Sequence, residues 1–517
     1  MKTYKNILLY SSVVAVILSG CSKFLDHPVE NLTQSGAVDY TNLGLMYQPV
    51  SGAYDAVTRG GYMTWVTTFL KTSQSDDVYP MTSYSEVNDL IHNFKSGDVI
   101  KSFWGINDMW NGYYGAIINC NNALAELDKF AQNIPAGDAE HLQLLARYQA
   151  EVRFLSGLGH YYISRSFGDV PILGPESINP NYLDTVKKTP LEDVRKYVMN
   201  EMNFCIPNLE DARPNQATHI GGITKYTALM LKAKTAMDLA GNDNGSSYWD
   251  TVLDCTNQII NSNKFSLFPD YYELFKKPGK LCDEALLEFQ YSDFGTATGD
   301  LATSGPSNPS WMAWANFFLY QGPENTYGAP INGYGWFVPS DIAYNFLKDR
   351  NDDERIKLNF ERCGINGAPG TYAVTPAGDT VSGNVSGKKY FNGKAYFPKS
   401  EMTPGRADYG ANNNIRVFRY PDVLLMNAEA KIRKGQNGDA EINMVRERVG
   451  LEALSGATLQ QVLDERHAEF ICEPWGERFN DLVRTDQAKT VLSGFVPGQS
   501  EFFPIPQAQI DINSNLR

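Results

Sequence analysis

Leu142, Leu145, Tyr148, Val152, Leu155, Leu158 and Tyr162 recur at three- and four-residue steps. A strand alternates every second residue, so this spacing admits only a long amphipathic helix with one buried face. The same period runs through Trp110, Tyr113, Ile117, Asn121 and Leu124, in a helix read from Trp104 onward. A third helix is expected to start at Pro190, whose fixed φ suits a first turn, and to end near Pro207. Thr224–Ala240 and Tyr248–Ile260 read as a helical hairpin around Gly241-Asn242-Asp243-Asn244-Gly245. Pro421–Arg433 and Asp439–Arg448 repeat that form around Lys434–Gly438, and Thr458–Ile471 adds a helix with Thr458 at its N-cap. A chain dominated by short antiparallel helix pairs is expected to be mainly α. The pairs resemble tetratricopeptide units stacked as a scaffold, without a clean repeat period.

The helical pattern stops between about Ser292 and Asn414, which is rich in Gly, Pro, Asn, Ser and Thr. Gly364–Lys389 holds few large apolar residues and reads as a loop or exposed hairpin. A long irregular insertion in a compact protein is commonly functional. The expected organisation is therefore a leader over 1–20, a helical region over 21–290, an irregular loop-rich lobe over 291–414 and a second helical region over 415–517.

The leader is read from Lys2 and Lys5 followed by the apolar run Ile7–Leu18, too short to span a bilayer. It ends in Leu18-Ser19-Gly20-Cys21, which resembles the bacterial lipoprotein box; that resemblance makes Cys21 the lipidated first residue of the mature chain. Removing Lys2 and Lys5 takes the net charge from −14 to −16. So acidic a chain lacks the basic footprint of a nucleic-acid binder. Of the six cysteines after Cys21, none form a Cys-x-x-Cys pair, so no structural zinc site is expected. Cys120, Cys205 and Cys255 sit at helix-like apolar positions and read as small core residues.

Several local motifs fall in one order along the chain: Cys21-Ser22-Lys23-Phe24-Leu25-Asp26, Ser75-Asp76-Asp77, Phe167-Gly168-Asp169-Val170-Pro171 and Arg419–Ala430. Ile442-Asn443, Val445-Arg446, Glu465-Arg466, Glu473, Gly476, Arg478, Asp481-Leu482, Arg484 and Pro504-Ile505-Pro506 complete the series. The series resembles the SusD/RagB family of nutrient-binding lipoproteins. The resemblance implies a helical, tetratricopeptide-like fold, lipid anchoring at Cys21, and a place on the outward face of an outer membrane. It further implies a TonB-dependent, SusC-like transporter as partner, and capture of oligosaccharide, polysaccharide or, in some members, peptide. Independently of the resemblance, Arg419, Glu429, Arg446, Glu465, Arg466, Glu473 and Arg478 read as buried ion pairs that tie helices together, because buried charges are normally paired.

No His-Glu-x-x-His, Gly-x-Ser-x-Gly, phosphate loop or dinucleotide fingerprint occurs, so neither catalytic residues nor a cofactor or metal are expected. His467 reads as a core or surface histidine, and Asn242–Ser246 as a plain turn. A surface glycosidase and a protein-binding helical scaffold stand as the alternatives. A sugar ring offers an apolar face to an aromatic side chain and hydroxyls to polar neighbours. Candidate ligand residues are therefore Tyr320, Tyr327, Asn332, Tyr334 and Trp336, the last two in a Gly-rich loop. Trp311 and Trp314 belong to the same stretch, with core packing and ligand contact both open. Asp77, Tyr79 and Tyr84 form a second candidate edge after the Ser-Asp-Asp motif, and Trp104, Trp110, Trp249 and Trp475 are expected in the core.

Overall fold

The computed structural model describes residues 38–59, 62, 65–79, 98–290, 339–359, 372–382, 390–396, 398–401 and 413–517. Helices dominate them. The N-terminal part holds α1 (Gln48–Arg59), α2 (Trp65–Thr72), α3 (Asp98–Ser102), α4 (Trp104–Ala131), α5 (Ala139–Phe167) and α6 (Leu191–Asn208). Then come α7 (Lys225–Ala240) and α8 (Tyr248–Asn261), the first of the expected hairpins. The C-terminal part holds α11 (Tyr420–Arg433), α12 (Asp439–Arg448), α13 (Leu459–Phe470), α14 (Glu477–Arg484) and α15 (Gln507–Ile512).

Local chemistry sets the ends of these helices. Asp138 caps α5 by accepting from the His141 N–H, and Thr458 forms a capping box with Gln461 at the start of α13. Gly168 ends α5 at φ +72, a conformation that glycine adopts without the Cβ penalty. Neighbouring helices then pack in a row: α4 on α5, α5 on α6, α6 on α7, α7 on α8, and α8 on α11. A single apolar core runs through them from Met46 to Leu516, so the two ends of the chain share one interior. Cys120, Cys205 and Cys255 lie in that core as expected.

Sheet structure is minor among the described residues. β1 (Ala285–Phe289) pairs antiparallel with β4 (Ile415–Arg419), joining Ala285 to Arg419 and Phe289 to Ile415. β2 (Tyr372–Val374) and β3 (Thr380–Ser382) form a hairpin inside the stretch read as loop or hairpin. The inserted region also contributes α9 (Asp341–Asp349) and α10 (Asp353–Asn359). These two are fastened to the C-terminal helices: Arg355, fully buried, bonds Glu465 at 2.8 Å and Glu469 at 2.8 Å.

The expected ion pairs form a buried lattice. Glu469 accepts from Arg355, from Arg419 at 2.7 Å and from Arg448 at 2.6 Å. Burial alone would raise its pKa, but the three guanidinium groups hold it well below the usual carboxylate range. Arg466 bridges Asp422 and Asp481, Arg484 grips Glu429 with two bonds of 2.7 Å, and Arg446 reaches Glu465. The expectation for the tryptophans holds at three positions. Trp110, Trp249 and Trp475 are buried, whereas Trp104 is 44% exposed.

Candidate functional site

The Ser-Asp-Asp motif follows α2 and is fastened on three sides. Asp77 Oδ1 lies 2.6 Å from His467 Nε2 on α13. Arg478 on α14 donates to both oxygens of Asp76, at 3.1 and 3.2 Å. Ser340 donates its N–H to the Asp77 carbonyl and its hydroxyl to the Asp76 carbonyl, while accepting from Ala343 as the N-cap of α9. These contacts explain why a polar run, Ser73–Asp77, sits almost wholly inside the protein. Burial would raise the Asp76 pKa, and the Arg478 charge and hydrogen bonds overcome it to hold the group below its ordinary value.

Asp77 was expected at the ligand edge. It is 2% exposed and its carboxylate is engaged by His467, so it faces the interior and not the edge. Tyr79, two residues on, is half-buried and reaches the surface of the site. Its hydroxyl accepts from the Asp341 N–H at 3.2 Å, and burial, then Asp341, push its pKa to about 12. Tyr390 donates to Asp341 at 2.9 Å and stacks on Tyr344, which fixes the neighbouring wall. A cavity of about 280 Å³ opens here, lined among others by Gln74, Tyr79, Asp341, Ile342 and Val491. Ile342 is 58% exposed, giving the mouth an apolar contact beside polar rim groups.

Asp76, Asp77 and His467 also bring three ligand-type atoms within 4.8 Å of one another. The donor set is matched internally: His467 faces Asp77, and the Arg478 cation on Asp76 opposes a metal ion there. The trio therefore works as a pair of clasps that fix the strand leading to Tyr79.

Trp104 is the first residue of α4. Gly105 behind it lets α4 lie close to α2, since a Cβ there would come 3.0 Å from Val66. Beside Trp104 on the same helix are Asn107 and Asn111, both accepting from Gln509 of α15 at 2.8 and 3.1 Å. An exposed indole next to a rim of amides is the combination that suits a sugar. The sequence reading missed Trp104 by grouping it with Trp110. Six residues at about 100° each place the two on different faces of the helix, and that offset was the available signal. Trp311, Trp314, Tyr320, Tyr327, Asn332, Tyr334, Trp336 and Tyr84 lie outside the described residues, as does Cys21.

Comparison with known proteins bears on this geometry. The sequence model described as the SusD family matches residues 261–501. A SusD-like protein of Bacteroides ovatus is 21% identical over 491 residues, spanning 90% of this chain and 80% of that protein. The starch-binding protein SusD of Bacteroides thetaiotaomicron is 24% identical over 420 residues, 73% of each chain. Among solved structures, a laminarin-binding SusD-like protein superposes with a TM-score of 0.73 at 22% identity, over 91% of this chain and 97% of that one. The surface glycan-binding protein A of B. thetaiotaomicron in complex with laminarihexaose gives 0.72 at 21% identity, over 92% and 98%. The relatives named for an activity are named for binding.

Proposed function

Because the chain belongs to the SusD family, we propose that it is a surface lipoprotein that binds oligosaccharide or polysaccharide and delivers it to a TonB-dependent, SusC-like transporter in the outer membrane. It acts as a binder and not as an enzyme, in line with relatives named for starch and glycan binding. Anchoring is through acyl chains on Cys21. Among the described residues no helix is long and apolar enough to cross a membrane.

The observation that carries the reading is two aromatic positions with polar neighbours: Tyr79 beside its cavity, and the exposed Trp104 beside Asn107. Aromatic faces supply stacking, and Asn107 and Asp341 supply rim hydrogen bonds. The proposed platform extends to Trp311, Trp314, Tyr320, Tyr327, Asn332, Tyr334 and Trp336, and to Tyr84 within the 80–97 segment. Asp77 supports it indirectly through His467.

The experiment is retention of the full mature chain on a panel of laminarin, starch, xylan, mannan and a peptide mixture, with products analysed in parallel. Retention of at least one glycan without cleavage supports the reading. Cleavage of the retained glycan would replace it with a glycosidase, and retention of peptides alone with a peptide binder.

A further inference from the structure

A second cavity, of about 300 Å³, lies between α1, the loop 219–222 and the end of β1. It shares no lining residue with the cavity beside Tyr79. Its volume is at the small end for ligand pockets, room for one or two sugar rings.

The walls are built with care for shape. The Tyr54 hydroxyl donates to buried Glu151 at 2.8 Å and accepts from the Ile223 N–H at 2.9 Å, which locks its ring in place. Tyr47 stacks on His219 with centroids 3.6 Å apart and planes within 11°. The loop that carries His219 depends on glycine. Gly221 has φ +82, and a Cβ there would fall 1.8 Å from Gln290 Nε2, which donates to the Ile220 carbonyl. That tight turn leaves Ile220 60% exposed at the mouth, an apolar side chain that nothing in the fold requires to be there. Among the described residues the His219 ring nitrogens make no hydrogen bond, although the ring is stacked and half-buried. Burial, and then Arg147, lower its pKa, so near neutral pH it presents one donor and one acceptor.

We propose that this cavity is a second carbohydrate site, taking a single neutral sugar residue or a disaccharide unit. The apolar faces of Tyr54 and Ile220 match the C–H face of a pyranose. Ser51, Thr58 and His219 match its hydroxyls as neutral donors and acceptors. Among the described residues the lining holds two carboxylates, Asp55 and Glu288, and neither lysine nor arginine, which favours a neutral sugar over an anionic one. The site shares its ligand class with the surface at Trp104 but none of its residues, and its occupancy does not depend on that surface.

The test uses the mature chain with labelled isoleucine δ1-methyl groups, the Ile220 signal being assigned with Ile220→Val. Glucose, galactose, maltose and cellobiose are titrated, with glucuronate as the anionic arm. At least one neutral sugar is expected to move the Ile220 signal saturably, with a Kd of about 0.1–10 mM, as suits so small a ligand. Ser51→Phe, which puts a ring into the cavity from an exposed turn of α1, is expected to weaken that binding at least about ten-fold. His219→Ala, should Ser51→Phe fail to fold, is expected to weaken it about five-fold. Polysaccharide retention is measured on the same samples and should survive both substitutions. Trp104→Ala should give the opposite pattern, so failure of either site is read separately. Absence of any saturable shift, equal binding of glucuronate, or binding unchanged by Ser51→Phe and His219→Ala would each overturn the second site.

Discussion

Two tryptophans six residues apart on α4 have opposite environments, and this separates a binding role from a packing role in one experiment. Trp110 is 4% exposed and packs edge-on against Phe167 at 5.2 Å. Trp110→Ala should cost about 3–5 kcal/mol of stability, as large-to-small core changes do. Trp104→Ala should leave the melting temperature within a few degrees and weaken glycan binding by about 1 kcal/mol or more, roughly five-fold. An early melt of the Trp104 variant in calorimetry would return that residue to the core. Lys71 makes a second residue-scale case. It is 4% exposed, and its ammonium donates to the Arg165 carbonyl at 3.4 Å. Burial, reinforced by the Arg165 charge and partly offset by Glu477 and Asp238, brings its pKa down to about 7. Between that value and the ordinary 10.5 the unfolded chain holds a proton that the folded chain has released. Stability contributed by this group therefore rises with pH from 7 upward, and below 7 the full cost of burying the cation is present. Lys71→Met should stabilise the protein at pH 6 by about 2–5 kcal/mol, with the gain shrinking by pH 9. Equal gains at both pH values, measured by urea unfolding, would show that the amine does not titrate in this window.

At the scale of elements, helices were legible and their partners were not. The period of Leu145–Tyr162, the capping chemistry of Thr458 and the Gly-rich turns are local signals, and α5, α13 and both hairpins appear where those signals put them. That Arg419, Glu465 and Arg466 would be buried ion pairs was also legible, because so many charges on apolar helices have to be matched inside. Which charges meet was not legible. The link from Arg355 to Glu469 spans 114 residues, and that from His467 to Asp77 spans 390. No local period encodes such pairings. The same holds around the Ser-Asp-Asp motif: its polar run was legible, whereas the burial of Asp77 depends on a helix near the other end of the chain. Glu469 tests the lattice. It accepts from three guanidinium groups on α10, β4 and α12, and holds those elements in one geometry. Glu469→Leu leaves three buried cations short of a partner. It should cost about 3–5 kcal/mol, the range found when one member of a buried pair is removed. A loss below about 1 kcal/mol in denaturant unfolding would mean that Glu284, Glu465 and Glu473 take up the released bonds.

Across the whole molecule, the two ends of the chain are sewn together. Arg165 bonds Glu477 at 3.0 Å across 312 residues, and Gln509 bonds Asn107 at 2.8 Å across 402. The apolar core likewise runs unbroken from Met46 to Leu516. These contacts all lie between Met46 and Leu516. Folding and membrane attachment should then be separable, and Cys21 is where to separate them. Two or more acyl chains hold a protein firmly on a bilayer at about 0.8 kcal/mol per buried CH₂, whereas one chain alone gives only reversible binding. Among the described residues no helix is long and apolar enough to cross a membrane. Cys21→Ala should therefore move the protein out of the membrane fraction while leaving its melting temperature and its glycan affinity in solution unchanged. The decisive measurement is fractionation after an alkaline wash, with calorimetry on the recovered protein. Pelleting of the Cys21→Ala protein with washed membranes would show a second attachment. A lowered melting temperature would show that the leader end contributes to the fold.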